Sequence, residues 1–433
     1  MSRPKHRPYV NDLQGNIRRF ESSRGNNTLA LATVPARTSQ PTPLIQPLPP
    51  PELKIENAFL NEWVEYHSKF TDAPKIFLLF SGIAVLSAIL NKHYFEYPRR
   101  TQLNLYILIL AASTIDRKST CTDFAKDYLR MVNPGLLFPD SFTVEASYDI
   151  FKKHPKGIVV WPELSQVKEF MMGQSYNRAL PSFLTDIYDS KPTLSRWTVG
   201  KGEIESLNPV LSIFAAGVGS WFTKNLHEVD FQGGIWTRFL LVPTSESEKP
   251  FSLPKAFTPD KGILHRLRKM DKNPEGRIDW SNIEAQIKDW GTRHRMETKK
   301  LGDSLLSAIF HRYEVMAIKL AAIFQIAQDG KKVLSPEAFR DAVTVIEYLK
   351  AVLPSFFQDE VKFNPYDKDL AKTRNYLKKH GPETKAHILQ GTGIRKKILD
   401  EVLKQLREMG EISEKPTQPK GHIYTYIAGT HPE

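Results

Sequence analysis

Ten residues that link an apolar run to a helix-like segment carry the clearest chemical signal in this chain. They read Ala111-Ala112-Ser113-Thr114-Ile115-Asp116-Arg117-Lys118-Ser119-Thr120. A phosphate loop has Gly, four residues, then Gly-Lys-Ser/Thr, between a strand and a helix. Its backbone N–H groups and helix start face the phosphates, its lysine reaches their oxygens, and its hydroxyl ligates Mg²⁺. Lys118 and Ser119 stand in the last two positions, while Ala112 and Arg117 replace both glycines. Glycine supplies backbone angles that other residues resist. On this pattern alone, a basic helix start and a phosphate cradle are both open.

Two further residues suit nucleotide chemistry. The apolar run Gly157–Trp161 leads through Pro162 to Glu163. A carboxylate at the end of such a strand can orient an attacking water, although Pro162 stands where a second acid would support the metal. An ordinary acidic helix start reads the same way. Arg238 directly precedes the apolar run Phe239–Val242. It is a candidate finger for a neighbouring subunit's phosphate, or else a structural ion pair. The histidines are scattered without metal-ligand spacing, and no serine lies in a nucleophile elbow.

These residues need a scaffold. Runs at 103–110, 157–161, 210–216 and 239–242 have the density of buried parallel strands. Helix-like segments at 121–132, 147–153, 164–172 and 179–188 alternate with them, which predicts an α/β domain over 101–250. A helical subdomain is expected over 52–100, where Ile55, Phe59, Trp63 and Tyr66 recur at helical spacing. The charge-free stretch 76–90 is too short for a membrane span and suits a core helix. Residues 251–362 form a helical extension that starts polar and basic and continues in apolar helices at 305–329 and 335–353. Over 363–433, helices at 367–379, 383–390 and 394–409 precede two β-prone stretches, the layout of a winged helix. Its third helix opens with Arg395, Lys396 and Lys397 and carries Lys404 further along, a DNA-facing set in such a domain. Ile398, Val402 and Leu406 should face its core.

Residues 1–51 hold nine prolines and few large apolar side chains, so they cannot bury enough surface to offset ordering. A flexible tail and a basic tether are both compatible with them. The chain has 60 Lys plus Arg against 48 Asp plus Glu, a formal charge of +12, which permits a polyanionic partner and excludes a strongly acidic binder. Its single cysteine, Cys121, excludes an intramolecular disulfide and fits a reducing, cytoplasmic setting. No apolar run follows the charged start, so no secretory signal and no membrane association are expected.

Taken together and in this order, these elements resemble a P-loop family of phages, plasmids and other mobile elements. That family is of RecA-like replicative-helicase type and is catalogued as a domain of unknown function. The resemblance covers roughly 55–353. Besides the three motifs it rests on Thr71-Asp72-Ala73-Pro74, on Phe183-Leu184-Thr185-Asp186-Ile187-Tyr188-Asp189, and on Asn208-Pro209-Val210-Leu211-Ser212-Ile213. Members often carry Arg-Lys-Ser-Thr in the loop, as Arg117 to Thr120 do. The resemblance implies a RecA-like P-loop core that binds ATP and Mg²⁺ and acts on DNA in replication. It also implies a homo-oligomer, with a ring as one arrangement, and a separate primase or polymerase as a candidate partner. Ala112, Ser113, Asp116, Arg117, Lys118, Ser119 and Thr120 would hold the nucleotide, with Ser119 on the metal. Glu163 would be the catalytic carboxylate and Arg238 the finger. Ala112, Pro162 and the apolar turn Gly217-Val218-Gly219 depart from the pattern, so binding is expected more firmly than hydrolysis. Slow hydrolysis stays open if Asp186 or Asp189 lies near the metal, a placement that the sequence does not give. The alternative is an inactive scaffold that serves a DNA-binding initiator, loader or regulator.

Overall fold

Four apolar runs pair as parallel strands in the computed structural model. It describes residues 53–111, 117–164, 179–198, 202–225, 234–244, 253, 255–302, 305–360, 365–408, 411–417 and 421–427. Strands β3 (Tyr106–Ala111), β4 (Lys156–Trp161), β7 (Val210–Val218) and β8 (Phe239–Pro243) form one sheet in the order β4-β7-β3-β8. All three ladders are parallel, and their side chains are buried almost without break, as in a sheet covered on both faces. The fold is therefore mixed α/β, with helices flanking a parallel sheet. β3 starts later than its apolar run because Asn104 turns its side chain to the Leu211 carbonyl (3.2 Å).

On one face lie α2 (Lys75–Ile89) and α3 (Lys118–Val132). Every residue of α2 from Phe77 to Ile89 is buried, so the 76–90 stretch is a core helix as expected. α1 (Ala58–His67) packs across it, and Gly82 makes room: a Cβ there would stand 2.9 Å from the Trp63 ring. Trp63 in turn donates its indole N–H to Ser81 Oγ at 3.0 Å, so the polar atom of this buried ring is satisfied. Truncating so buried a ring to alanine costs ~3–5 kcal/mol. A short ribbon, β1 (Tyr94–Glu96) with β2 (Arg100–Gln102), leads into β3.

Between β3 and β4 comes α4 (Val144–Lys153), capped by Thr143; between β4 and β7 come α5 (Leu180–Tyr188) and an antiparallel ribbon. That ribbon, β5 (Thr193–Thr198) with β6 (Gly202–Leu207), was not anticipated from the sequence. α6 (Gly219–Asn225) follows β7 directly. The polar stretch 251–302 hides two helices, α7 (Lys261–Lys272) and α8 (Glu284–Lys300). Ile263, Leu264, Leu267 and Met270 are the buried stripe of α7. The long pair α9 (Leu305–Asp329) and α10 (Pro336–Glu360) pack on each other, and α10 reaches β8.

The last segment has its own core. It contains α11 (Pro365–His380), β9 (Glu383–Thr384), α12 (Lys385–Thr392), α13 (Lys396–Glu408), β10 (Ile412–Thr417) and β11 (Gly421–Tyr426). The three strands form an antiparallel sheet in the order β10-β11-β9. Leu377, Ile388, Leu399, Val402, Leu406 and Ile412 fill the space between helices and sheet. Gly393, at φ +63°, ends α12 and frees the chain to turn into α13. Among the described residues, no helix is long and apolar enough to cross a membrane.

Candidate functional site

The C-terminal ends of the four strands lie along one edge, and β3 meets α3 there. The expected loop residues Ala112, Ser113 and Asp116 lie outside the described residues. The chain resumes at Arg117, whose φ of +48° and ψ of +36° are left-handed. That conformation costs a non-glycine residue roughly 1–2 kcal/mol, and it falls where the phosphate-loop pattern has its second glycine. Arg117 Nε donates to Asp72 Oδ1 at 3.1 Å, which ties the turn to the bend before α2. Lys118 is the first residue of α3 and is buried, Ser119 is exposed and Thr120 half-buried. No acid occupies the first turn of α3, so the positive end of its dipole is not cancelled by its own side chains.

Topology selects one crevice along this edge. The connection from β3 runs through α3 and α4 toward β4, past β7. The connection from β7 runs through α6 to β8, on the far side of β3. Neighbouring strands whose connections leave in opposite directions open a crevice at their carboxyl ends, where α/β sheets bind ligands. Lys118 opens the helix that follows one of these two strands. Glu163, half-buried, follows β4 by two residues. Its neighbour Leu164 lies over β7: a Cβ on Gly217 would stand 3.2 Å from Leu164 Cβ and 3.4 Å from Leu110 Cδ2. The glycine lets the chain after β4 lean across the sheet toward β3. Gly217 and Val218 are not a turn, as the sequence suggested; β7 continues through Val218 and enters α6 at Gly219.

The opposite edge holds the other acids and the arginine. Arg238 precedes β8, and Phe239 pairs with Tyr106, the first residue of β3. A six-residue strand spans about 17 Å, so Arg238 stands a strand's length from the end of β3 where α3 begins. Its side chain is 5% exposed and is engaged within its own chain. Nε and Nη2 grip Asp189 at 3.1 and 2.5 Å, and Nη1 donates to the Gly234 carbonyl at 2.6 Å. The structural ion pair is thus what this chain displays. Asp186, paired with Lys191 at 2.7 Å, and Asp189 both sit at the end of α5 on this side. Both acids therefore lie at the end of the sheet away from Ser119.

Lys319 was missed in the sequence and belongs to this second edge. It is fully buried on α9, donates to Asn104 O and Oδ1 at 2.9 and 2.8 Å, and lies 4.0 Å from the Tyr188 ring. Burial pushes its pKa down to about 7, against the pull of Asp189 and with help from Arg238 and Arg312. A lone lysine in the apolar run Met316–Ile326 was the available signal. His67 and His93 lie in the core: burial among aromatic rings lowers His67 to about 4, and burial near three lysines does the same to His93. Among the described residues, no group of three or more His, Cys, Asp or Glu could hold a metal. The exposed Ser119 hydroxyl at the start of α3 would fit a cation held mainly by a ligand's phosphate oxygens.

In the C-terminal segment, Arg395, Lys396, Lys397 and Lys404 are all exposed. Helix α13 begins at Lys396, so Arg395 lies just ahead of it, its carbonyl accepting from Leu399 N at 2.9 Å. Ile398 is half-buried, and the buried stripe runs through Leu399, Val402, Leu403 and Leu406. Arg395, Lys396 and Lys397 therefore cluster at the start of the helix, and Lys404 follows two turns on; all four are on its solvent side. No family model and no curated protein sequence matches this chain.

Proposed function

We propose that this chain is an ATP-binding, RecA-like protein of the replicative-helicase type that acts on DNA. The setting is replication of a mobile element, phage or plasmid. The observation that carries the reading is the left-handed Arg117 ahead of Lys118, where α3 begins, at the crevice between β3 and β7. A non-glycine residue keeps such a conformation when its surroundings enforce it, and functional loops are where that strain collects.

In this reading Lys118 and the first N–H groups of α3 bind the phosphates of ATP. Ser119 ligates Mg²⁺, and the bound metal supplies charge neutralisation at the phosphate oxygens. Glu163 holds and orients the attacking water across the crevice. Arg238 serves a neighbouring subunit only by leaving Asp189, which makes its engagement a conformational step. The C-terminal segment is a winged helix whose α13 presents Arg395, Lys396, Lys397 and Lys404 to DNA. Possible primase or polymerase partners follow from the resemblance.

The test is ATP turnover by the full chain, with and without single-stranded DNA, beside Glu163→Gln. DNA-stimulated hydrolysis that Glu163→Gln abolishes establishes a motor. A second reading is favoured by Pro162 and by the closed Arg238–Asp189 pair: a catalytically inactive scaffold carrying a DNA-binding initiator, loader or regulator. ATP binding that Lys118→Ala removes, without turnover, selects a nucleotide-gated form of that scaffold. Failure to bind ATP at all removes the phosphate-loop reading.

A further inference from the structure

The outer face of the β5–β6 ribbon is unused by the nucleotide reading. The register pairs Thr193 with Leu207, Ser195 with Glu205 and Trp197 with Glu203, so these six side chains share one face. All six are exposed, whereas Leu194 and Ser206 on the other face are buried, and β6 contacts α4. Trp197 is 74% and Leu207 62% exposed. Leaving large apolar side chains in water forgoes roughly 1.5–3 kcal/mol each.

We propose that this face docks onto a second copy of this chain, against the basic surface beside that copy's phosphate edge. The charges decide among occupants. Glu203 lies directly across from Trp197, and Glu205 is the next residue on that face, so a nucleic-acid backbone is repelled. A symmetric contact of ribbon on ribbon sets the same acids against each other, which is destabilising. A basic surface is the complement, and this chain carries one. Lys69 and Lys75 are exposed on either side of the bend Thr71–Pro74, and the exposed Lys255 donates its backbone N–H to Phe70 O at 3.3 Å. Asp72 in that bend is paired with Arg117.

The two surfaces lie at opposite ends of the sheet. The ribbon leaves the body at the N-terminal end of β7, and the bend adjoins Arg117 at the C-terminal end of β3. Contact between them across copies is head-to-tail and builds a ring or a filament. It also turns the Arg238 edge of one copy toward the phosphate edge of the next; that consequence rests on the nucleotide reading, while the contact itself does not.

The experiment is the mass of the full chain in solution without nucleotide, by light scattering at low and high salt. Multiples of 49.5 kDa are expected, falling as salt rises. Trp197→Ser with Leu207→Ser should weaken self-association at least about tenfold, with circular dichroism and melting unchanged. Glu203→Lys with Glu205→Lys, and separately Lys69→Glu with Lys75→Glu, should each do the same, and mixing those two proteins should restore association. A wild type of 49.5 kDa at every concentration overturns the proposal, as does assembly that survives all three variants. Loss of single-stranded DNA binding in the ribbon variants at unchanged mass also overturns it. A chain that assembles without binding ATP breaks the nucleotide reading and leaves this one standing; a monomer that binds ATP does the reverse.

Discussion

At one end of the parallel sheet, Arg117 and Lys118 open α3 beside an exposed Ser119. At the other end, Arg238 and Lys319 are folded away behind Asp189 and Asn104. Both ends gather positive charge, but they spend it differently. At the first end the chain accepts a left-handed arginine, paired with Asp72, and a helix dipole with no acid in its first turn. At the far edge each cation is matched to oxygens of its own chain. A cation held by several oxygens of its own chain contributes to the fold; an exposed hydroxyl at the start of a helix is open to a ligand. Under the proposed function, this difference puts ligand chemistry at the first edge, on Ser119 and the start of α3, and stability at the second.

The largest effect should come from breaking the second edge. Asp189→Ala leaves the Arg238 guanidinium buried, with the Gly234 carbonyl as a remaining partner. The expected loss is ~3 kcal/mol in urea unfolding, at the low end for a buried pair because Asp189 keeps 39% of its side chain exposed. Lys118→Ala at the first edge should cost far less stability while removing ATP binding. If the two losses are equal, the division between the edges fails.

Lys319 gives the comparison a pH dependence. Its pKa is about 7 in the folded chain and 10.5 in the ordinary lysine range. Between those values the unfolded state binds a proton that the folded state does not, so stability rises with pH, by up to ~1 kcal/mol per unit. Below pH 7 both states are charged and the full cost of burying the ammonium is present. His67 and His93, lowered to about 4, make their own rise between pH 4 and 6.5 and are flat above it. Lys319→Met should therefore flatten the stability curve between pH 7 and 9, a difference of about 2 kcal/mol, measured by unfolding at both values. An unchanged slope would mean that Lys319 remains charged in the fold.

Sequence periodicity exposed the body and concealed the pairings. Apolar runs marked all four parallel strands because both faces of each are covered, and α2 stood out because it is buried all round. The α7 stripe Ile263, Leu264, Leu267 and Met270 was also readable but was outweighed by its lysines and arginines. The grip of Arg238 on Asp189, 49 positions away, has no local signature. Nor does the closing of β5 on β6, since exposed faces leave the alternation of those strands mixed. The candidate loop was legible as Lys118-Ser119, but the conformation of Arg117 was not, because an arginine gives no sign of a left-handed turn.

That turn supplies the smallest and sharpest test. In most backbone settings glycine is worse than alanine by ~0.5–1 kcal/mol, because it surrenders more freedom on folding. At φ +48° the order should reverse. Arg117→Ala and Arg117→Gly both lose the contact with Asp72, so the difference between them isolates the backbone. Alanine keeps a strain of roughly 1–2 kcal/mol and glycine does not. Arg117→Gly should therefore unfold at higher urea than Arg117→Ala, by ~1 kcal/mol once the entropy of glycine is subtracted. It should also bind ATP at least as well as the wild type, since it restores the residue that a phosphate loop prefers. If Arg117→Ala proves the more stable, the left-handed turn is not a property of the folded loop. The proposed nucleotide site then loses the observation that carries it.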